Sequence, residues 1–106
     1  KNADKRDTVR LPFKLKVEAE GIDQPFTCET YDISSTGCFL VTENTLPVGR
    51  SFKMTLELFG KRATVDASVV WVSDGGRHPR GIGTKFAMKS ADINALVDEL
   101  AVRRQA

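Results

Sequence analysis

The sequence is short of the residues from which most enzyme sites are built. In 106 residues it holds one histidine, two cysteines, one tryptophan and one tyrosine. One histidine cannot supply a His-rich metal site, and Cys28 and Cys38 are spaced like no common zinc motif. Two cysteines are also too few for a disulfide framework, so they read as small buried hydrophobes in a cytoplasmic domain. No apolar run approaches the length of a membrane span, and residues 1–4 lack the apolar core of a signal peptide. No acid–base pair can be nominated. His78 stands alone in a turn-rich stretch, where an ordinary solvent-exposed role is expected. Gly81-Ile82-Gly83 precedes more strand, not the helix that a dinucleotide fingerprint requires. The expectation is a protein that is not an enzyme and carries no metal or resident cofactor.

Charge of one sign is also lacking overall. Sixteen basic and fourteen acidic residues leave a net charge of +2, which excludes a strongly polycationic chain. The balance is uneven along the sequence, however. The first sixteen residues carry six basic side chains against Asp4 and Asp7, an excess of +4, so the rest sums to −2. With 41% apolar and 28% charged residues the composition is globular, and the length suits one domain. The organisation expected is a flexible basic arm over residues 1–10, then a single domain over residues 11–106.

Apolar residues alternate along most of that domain. Residues 11–19 put Phe13, Leu15, Val17 and Ala19 on one face and Lys14, Lys16 and Glu18 on the other, a half-buried strand with Pro12 near its start. Residues 24–33, 38–41 and 52–58 give three more strands. Gly60-Lys61 is suited to a two-residue hairpin turn, with glycine supplying positive φ at its first position. Residues 63–72 follow. Their alternation runs into Val69-Val70-Trp71-Val72, as expected of a strand covered on both faces, and parity with Val65, Ala67 and Val69 predicts a buried Trp71. Residues 81–88 form the last strand. Six strands with short turns between them predict an antiparallel barrel or sandwich.

The period then changes. Ser90 is an N-cap candidate, Asp92 falls in the first turn, and Ile93, Leu96, Val97, Leu100 and Ala101 recur at helical spacing. Arg103 and Arg104 suit the last turn of the helix dipole. A helix over about residues 90–104 should lay this stripe across the sheet as a lid.

Two stretches are less easily explained as structure. Arg6 and Arg10 stand four apart before the first strand, and Asp32-Ile33-Ser34-Ser35-Thr36-Gly37 interrupts an apolar hairpin with small polar side chains. Singly, arginines solvate a strand, and Asp, Ser and Gly form turns. Together they have a chemical logic. Arginine offers a planar donor fork that fits guanine O6 and N7 or a phosphate, and its face stacks on a base. A carboxylate accepts from the N1 and N2 hydrogens of guanine. A serine hydroxyl and nearby amides bind phosphate oxygens, and glycine lets backbone approach a ligand closely. These are the parts for holding a guanine nucleotide with phosphodiester links.

Arg6-x-x-x-Arg10 followed by Asp32-x-Ser34-x-x-Gly37 resembles the paired signature of PilZ domains, bacterial receptors for cyclic di-GMP. The resemblance extends to Leu46-Pro47-Val48-Gly49, to Val69-Val70-Trp71-Val72 and to Gly81-x-Gly83-x-x-Phe86. It implies an all-β fold, a six-stranded antiparallel barrel with a C-terminal helix, holding its ligand between the arm and the barrel. It further implies that Arg6 and Arg10 bind guanine edges and phosphates, that Asp32 and Ser34 contact guanine and ribose-phosphate, and that Gly37 shapes the loop. Lys5 occupies a position often basic in the family and associated with a stacked ligand dimer. Asp7 departs from the pattern by placing a negative charge between the two arginines.

Three classes of function then stand side by side. A signalling module would bind cyclic di-GMP, order its arm and present a new surface to a downstream protein or fused domain. An adaptor of the same fold would bind a protein and no nucleotide, but this chain keeps both arginines. Nucleic-acid binding is disfavoured by the lack of a row of exposed aromatics for base stacking.

Overall fold

Strands with one apolar face must hide it from water, and a sheet that closes on itself does so without leaving an edge. In the computed structural model of the chain, residues 10–58, 60–88 and 90–105 are described. The strands are β1 (Lys16–Glu20), β2 (Phe26–Ile33), β3 (Gly37–Val41), β4 (Ser51–Leu58), β5 (Lys61–Ser73) and β6 (Gly81–Phe86), followed by helix α1 (Ala91–Gln105). They form a closed antiparallel barrel in the order β1-β2-β3-β6-β5-β4, with β1 paired to both β2 and β4. The barrel alternative is thus realised and the sandwich is not.

Away from two bulged stretches, the inward faces are those the alternation assigned. Val17, Ala19, Leu40, Met54, Leu56, Val65, Val69 and Ile82 fill one core, and Cys38 joins them. Helix α1 begins where Ser90 Oγ accepts from Ile93 N at 3.2 Å, the N-cap contact expected there. Its stripe of Ile93, Leu96, Val97 and Leu100 is buried in the same core. Each such side chain contributes on the order of 1.5–3 kcal/mol, so packing rather than intrinsic propensity holds the helix. Lys61 Nζ lies 3.7 Å from Glu99 Oε1, an exposed contact between the helix and the start of β5.

Three local expectations are corrected. The first strand is shorter than residues 11–19, because Pro12 has no N–H and Phe13 N bonds back to Leu11 O at 2.9 Å. Thr30 takes over there: its Oγ1 accepts from Leu15 N at 2.8 Å and donates to Phe13 O at 2.6 Å. Second, the β4–β5 turn closes one residue early. Leu58 pairs with Lys61, so Gly60 (φ 81°) sits in the turn and Lys61 already belongs to β5.

The third correction concerns which way side chains point. In β2 both Thr30 and Asp32 pair with consecutive residues of β3, Leu40 and Phe39, leaving Tyr31 as an extra residue. In β5 Val69 and Trp71 pair with consecutive residues of β6, Thr84 and Gly83, leaving Val70 extra. Each bulge reverses the parity after it. Val70, the extra residue, and Trp71, turned outward after it, are therefore 46% and 42% exposed, and the run expected to be covered on both faces opens to solvent.

Burial pushes the Cys38 thiol up to about 12, only partly opposed by its hydrogen bond to Thr84. The half-buried Cys28 is raised in the same direction, by burial first and Glu29 second. Between about pH 9 and 12 the folded chain keeps the Cys38 proton that the unfolded chain loses. Stability should therefore fall through this window, by up to about 1.4 kcal/mol per pH unit for each thiol. Urea titrations at rising pH should show a shallower alkaline loss in Cys38→Ala than in wild type. Thr30→Val should lower stability by roughly 1–3 kcal/mol, since it leaves both a buried N–H and a carbonyl without a partner. The denaturation midpoint reads this directly.

Candidate functional site

One row of paired residues crosses four strands on the outside of the barrel. Asp32 of β2 pairs with Phe39 of β3, Phe39 with Gly83 of β6, and Gly83 with Trp71 of β5. The two bulges put the ends of this row outside, since strict alternation from Thr30 and Val69 would turn Asp32 and Trp71 inward. A carboxylate stands at one end and an indole at the other.

Gly83 is what lets the row close over. Phe39 and Trp71 lie two strand spacings apart, about 9.6 Å of backbone. Their ring centroids are nevertheless 5.0 Å apart, because both lean across the strand between them. A Cβ at position 83 would fall within the Trp71 indole. Tyr31 meets Phe39 edge to face at 6.0 Å, and His78, from the β5–β6 loop, sits 5.3 Å from Trp71 and 5.9 Å from Phe39. Phe39 is only 3% exposed although it faces away from the barrel core. The rings thus form a cluster on the outer wall, with Phe39 buried at its centre and Tyr31, Trp71 and His78 exposed around it.

Above this floor is a pocket of about 330 Å³, lined by Arg10, Tyr31, Asp32, Phe39, Trp71 and His78 together with Val70, Gly83 and Thr84. Arg10 Nη2 donates to Asp32 Oδ1 at 2.7 Å. The backbone beside both residues is clamped: Leu11 N donates to Ile33 O at 2.8 Å and Ile33 N to Leu11 O at 3.0 Å. Placement of the pair therefore comes from backbone hydrogen bonds. The ion pair itself, with side chains 45% and 23% exposed, contributes only about 0–1 kcal/mol. A ligand can exchange with it at little loss.

Of the site residues expected from sequence, Arg10 and Asp32 are brought together at this pocket. Ser34 and Gly37 have a different placement. Ser34 is fully buried; its Oγ accepts from Thr36 N at 3.2 Å and donates to Gly37 O at 3.3 Å, while its N–H donates to the same carbonyl at 2.8 Å. Gly37 lies where any Cβ would strike the Thr84 carbonyl across the β3–β6 pairing. Both residues build the turn that follows Asp32. Arg6 and Lys5 lie outside the described residues, as does Asp7.

Two features were missed in the sequence. Trp71 lines the pocket instead of the core, and the outer wall carries clustered aromatics where none was expected. His78 is exposed as anticipated, yet its ring is seated on three others. Among the described residues, no group of three His, Cys, Asp or Glu side chains is placed to hold a metal ion, and no helix is long and apolar enough to cross a membrane.

The PilZ domain family model matches residues 4–101, and the chain belongs to this family. Its fold is shared with the inhibitor of motility MotI/DgrA of Bacillus subtilis, at 22% identity and a TM-score of 0.75 over 92% of this chain and 49% of that one. The chain therefore spans about half the length of that protein. The PilZ domain of CeSA from a cellulose-synthesizing bacterium aligns at 19% identity and a TM-score of 0.65, covering 92% of this chain and 99% of that one. The PilZ domain of YcgR from Escherichia coli, solved with c-di-GMP, aligns at 15% identity and a TM-score of 0.68 over 92% and 90%. No match is found among curated protein sequences.

Trp71 is the only tryptophan, so its fluorescence reports this pocket alone. Gly83→Ala should force the indole off the strand, shifting its emission to the red and increasing its access to a soluble quencher. An unchanged spectrum in a folded variant would contradict the close contact.

Proposed function

We propose that this chain is a non-catalytic signalling module that binds cyclic di-GMP in the pocket between Arg10, Asp32 and the aromatic floor. The contact between Arg10 and Asp32 carries the reading, because it joins the two halves of the sequence signature at one pocket rim. A solved PilZ domain of the same fold contains c-di-GMP, which is consistent with it.

The chemistry divides between the two ends of the row. The Arg10 guanidinium presents paired donors to a phosphodiester or to the O6 and N7 edge of guanine, and Arg6 repeats the offer four residues earlier in the arm. Asp32 accepts from guanine N1–H and N2–H, which adenine does not present. The rings of Trp71 and Phe39 offer an apolar face beside the base. In this scheme Ser34 and Gly37 act through the turn they build, holding Asp32 at its height above the floor, and Lys5 adds charge for a second, stacked ligand.

Binding then exchanges one weak ion pair for several charge-assisted contacts. Contacts to Arg6 and Arg10 then hold residues 5–10 in one arrangement against the barrel, and the surface so formed is what a downstream protein or attached domain reads. Such relay requires that the ligand favour the closed arrangement, which contacts made only on closure supply. Fixing each arm residue costs roughly 1–2 kcal/mol, so only the residues around the arginines should be held.

Calorimetry with cyclic di-GMP tests the reading. Arg6→Ala and Arg10→Ala should each weaken binding about tenfold to a hundredfold, the value of one charge-assisted hydrogen bond at roughly 1.5–3 kcal/mol. Asp32→Ala should also erode the preference for cyclic di-GMP over cyclic di-AMP. Equal binding of both ligands by the wild type would remove Asp32 from guanine recognition. Unchanged affinity in both arginine variants would remove the arm.

A further inference from the structure

We propose that a second cleft, formed around Arg50, is a docking site for an extended peptide of a partner protein that presents an acidic side chain beside an apolar one. The cleft shares no residue with the aromatic pocket, so the inference stands apart from the ligand assigned there.

This cleft holds about 350 Å³ between the β1–β2 turn and the loop that runs from β3 to β4. Its Phe26 stands at the start of β2 and the pocket's Asp32 near the end, about 20 Å apart at the rise of a strand. It also takes in Leu46, from the Leu46-Pro47-Val48-Gly49 stretch that the aromatic pocket leaves unused.

Backbone contacts fix its frame. Thr42 N donates to Arg80 O at 3.1 Å and Thr42 Oγ1 accepts from Asn44 N at 2.9 Å, which sets the first end of the loop. At the other end Gly49 (φ 95°) donates from its N to Val69 O at 2.8 Å. Arg50 N donates to Pro47 O at 3.1 Å, and Arg50 O accepts from Val69 N at 2.9 Å. Arg50 is therefore held on both sides of its backbone, and its half-buried side chain lines the cleft. The β1–β2 turn, bent at Gly21 (φ 78°), contributes Ile22, Asp23 and Gln24.

The lining has the chemistry of a peptide site. Ile22, Phe26 and Leu46 pack against the barrel core yet stay only half-buried, so they offer apolar surface. Arg10, Arg62, Arg80 and Arg103 each pair with a carboxylate. Arg50 does not: among the described residues, neither it nor Asp23 makes a side-chain hydrogen bond or an ion pair. A guanidinium partly withdrawn from water, with its donor fork open, is set to take a carboxylate. Gln24 and Asn44 add side-chain amides, which match the donors and acceptors of a peptide main chain. Arginine beside an apolar centre with a polar rim is the anatomy of a protein interface. A small free acid would answer Arg50 and leave the apolar lining wet. A polyanion would answer Arg50 and be repelled by Asp23. An acidic side chain next to an apolar one answers both parts, and Asp23 disfavours a second acid.

A displayed library of random dodecapeptides, screened against the intact chain, tests the assignment. Peptides retained by wild type should be enriched in aspartate or glutamate next to leucine, isoleucine, valine or phenylalanine. By fluorescence anisotropy a selected peptide should bind Arg50→Gln about tenfold more weakly, the loss of one charge-assisted hydrogen bond. Screening Arg50→Glu should exchange the acidic preference for a basic one. Asp23→Lys lies in an exposed turn and should accept a second acidic residue, which keeps the test open if variants at position 50 fail to fold. A pool without enrichment, or selected peptides that bind wild type, Arg50→Glu and Asp23→Lys alike, overturns the proposal. A wild-type dimer that dissociates in Arg50→Glu overturns it too, because the occupant is then a second copy of the chain. Cyclic di-GMP titrated into the same wild-type protein reads the aromatic pocket separately, so either assignment can fail without the other.

Discussion

A strand of unbroken alternation would carry Asp32 into the barrel beside Thr30, and Trp71 beside Val69. Burying that carboxylate away from water would be strongly unfavourable, and the core has no room for an indole. Single extra residues, Tyr31 in β2 and Val70 in β5, remove both conflicts by turning the next side chain outward. The same two irregularities flank the row through Phe39 and Gly83, so they also determine what the outer wall presents. Without them the barrel would keep its core and lose its pocket.

The pocket combines firm backbone with a weak polar contact. The reciprocal hydrogen bonds between Leu11 and Ile33, and the Thr30 hydroxyl inserted between Phe13 and Leu15, hold the segment leading into β1. Arg10 and Asp32 are brought to the pocket rim from these fixed points, while their own attraction is small. Ser34 supports Asp32 through the turn, and Gly37 lets β3 and β6 approach. A pocket of this kind is preorganised in its backbone yet leaves its charged groups free to change partners.

Most of the barrel was legible in the sequence because period-two alternation is read from side chains alone. The six strands, the helix stripe from Ile93 to Leu100 and the Ser90 cap all follow from such patterns. A shared ligand for Arg10 and Asp32 was suggested by their chemistry and by family resemblance, but their direct contact was not, since nothing local brings positions 10 and 32 together. Bulges escaped, because one inserted residue leaves no compositional mark and Val70 looks like any other apolar residue in its run. Trp71 was misplaced for that reason. The shift in the β4–β5 turn reflects the same difficulty on a smaller scale, since a glycine marks a turn more surely than its register.

In this barrel the residues that maintain the fold point inward and those that line the pocket point outward, with Gly83 and Thr84 among the few that serve both. Substitutions on the two sides that lie more than about 7–10 Å apart and share no partner should therefore add energetically. Ring sizes at Tyr31 and His78, and polar groups on the β5–β6 loop, can drift without repacking the interior. Side chains on this wall can change the shape and charge of the pocket in small steps, while the architecture beneath it stays constant. Gly83 is the exception: it is where chemical diversification and structural constraint meet, and where drift should be slowest.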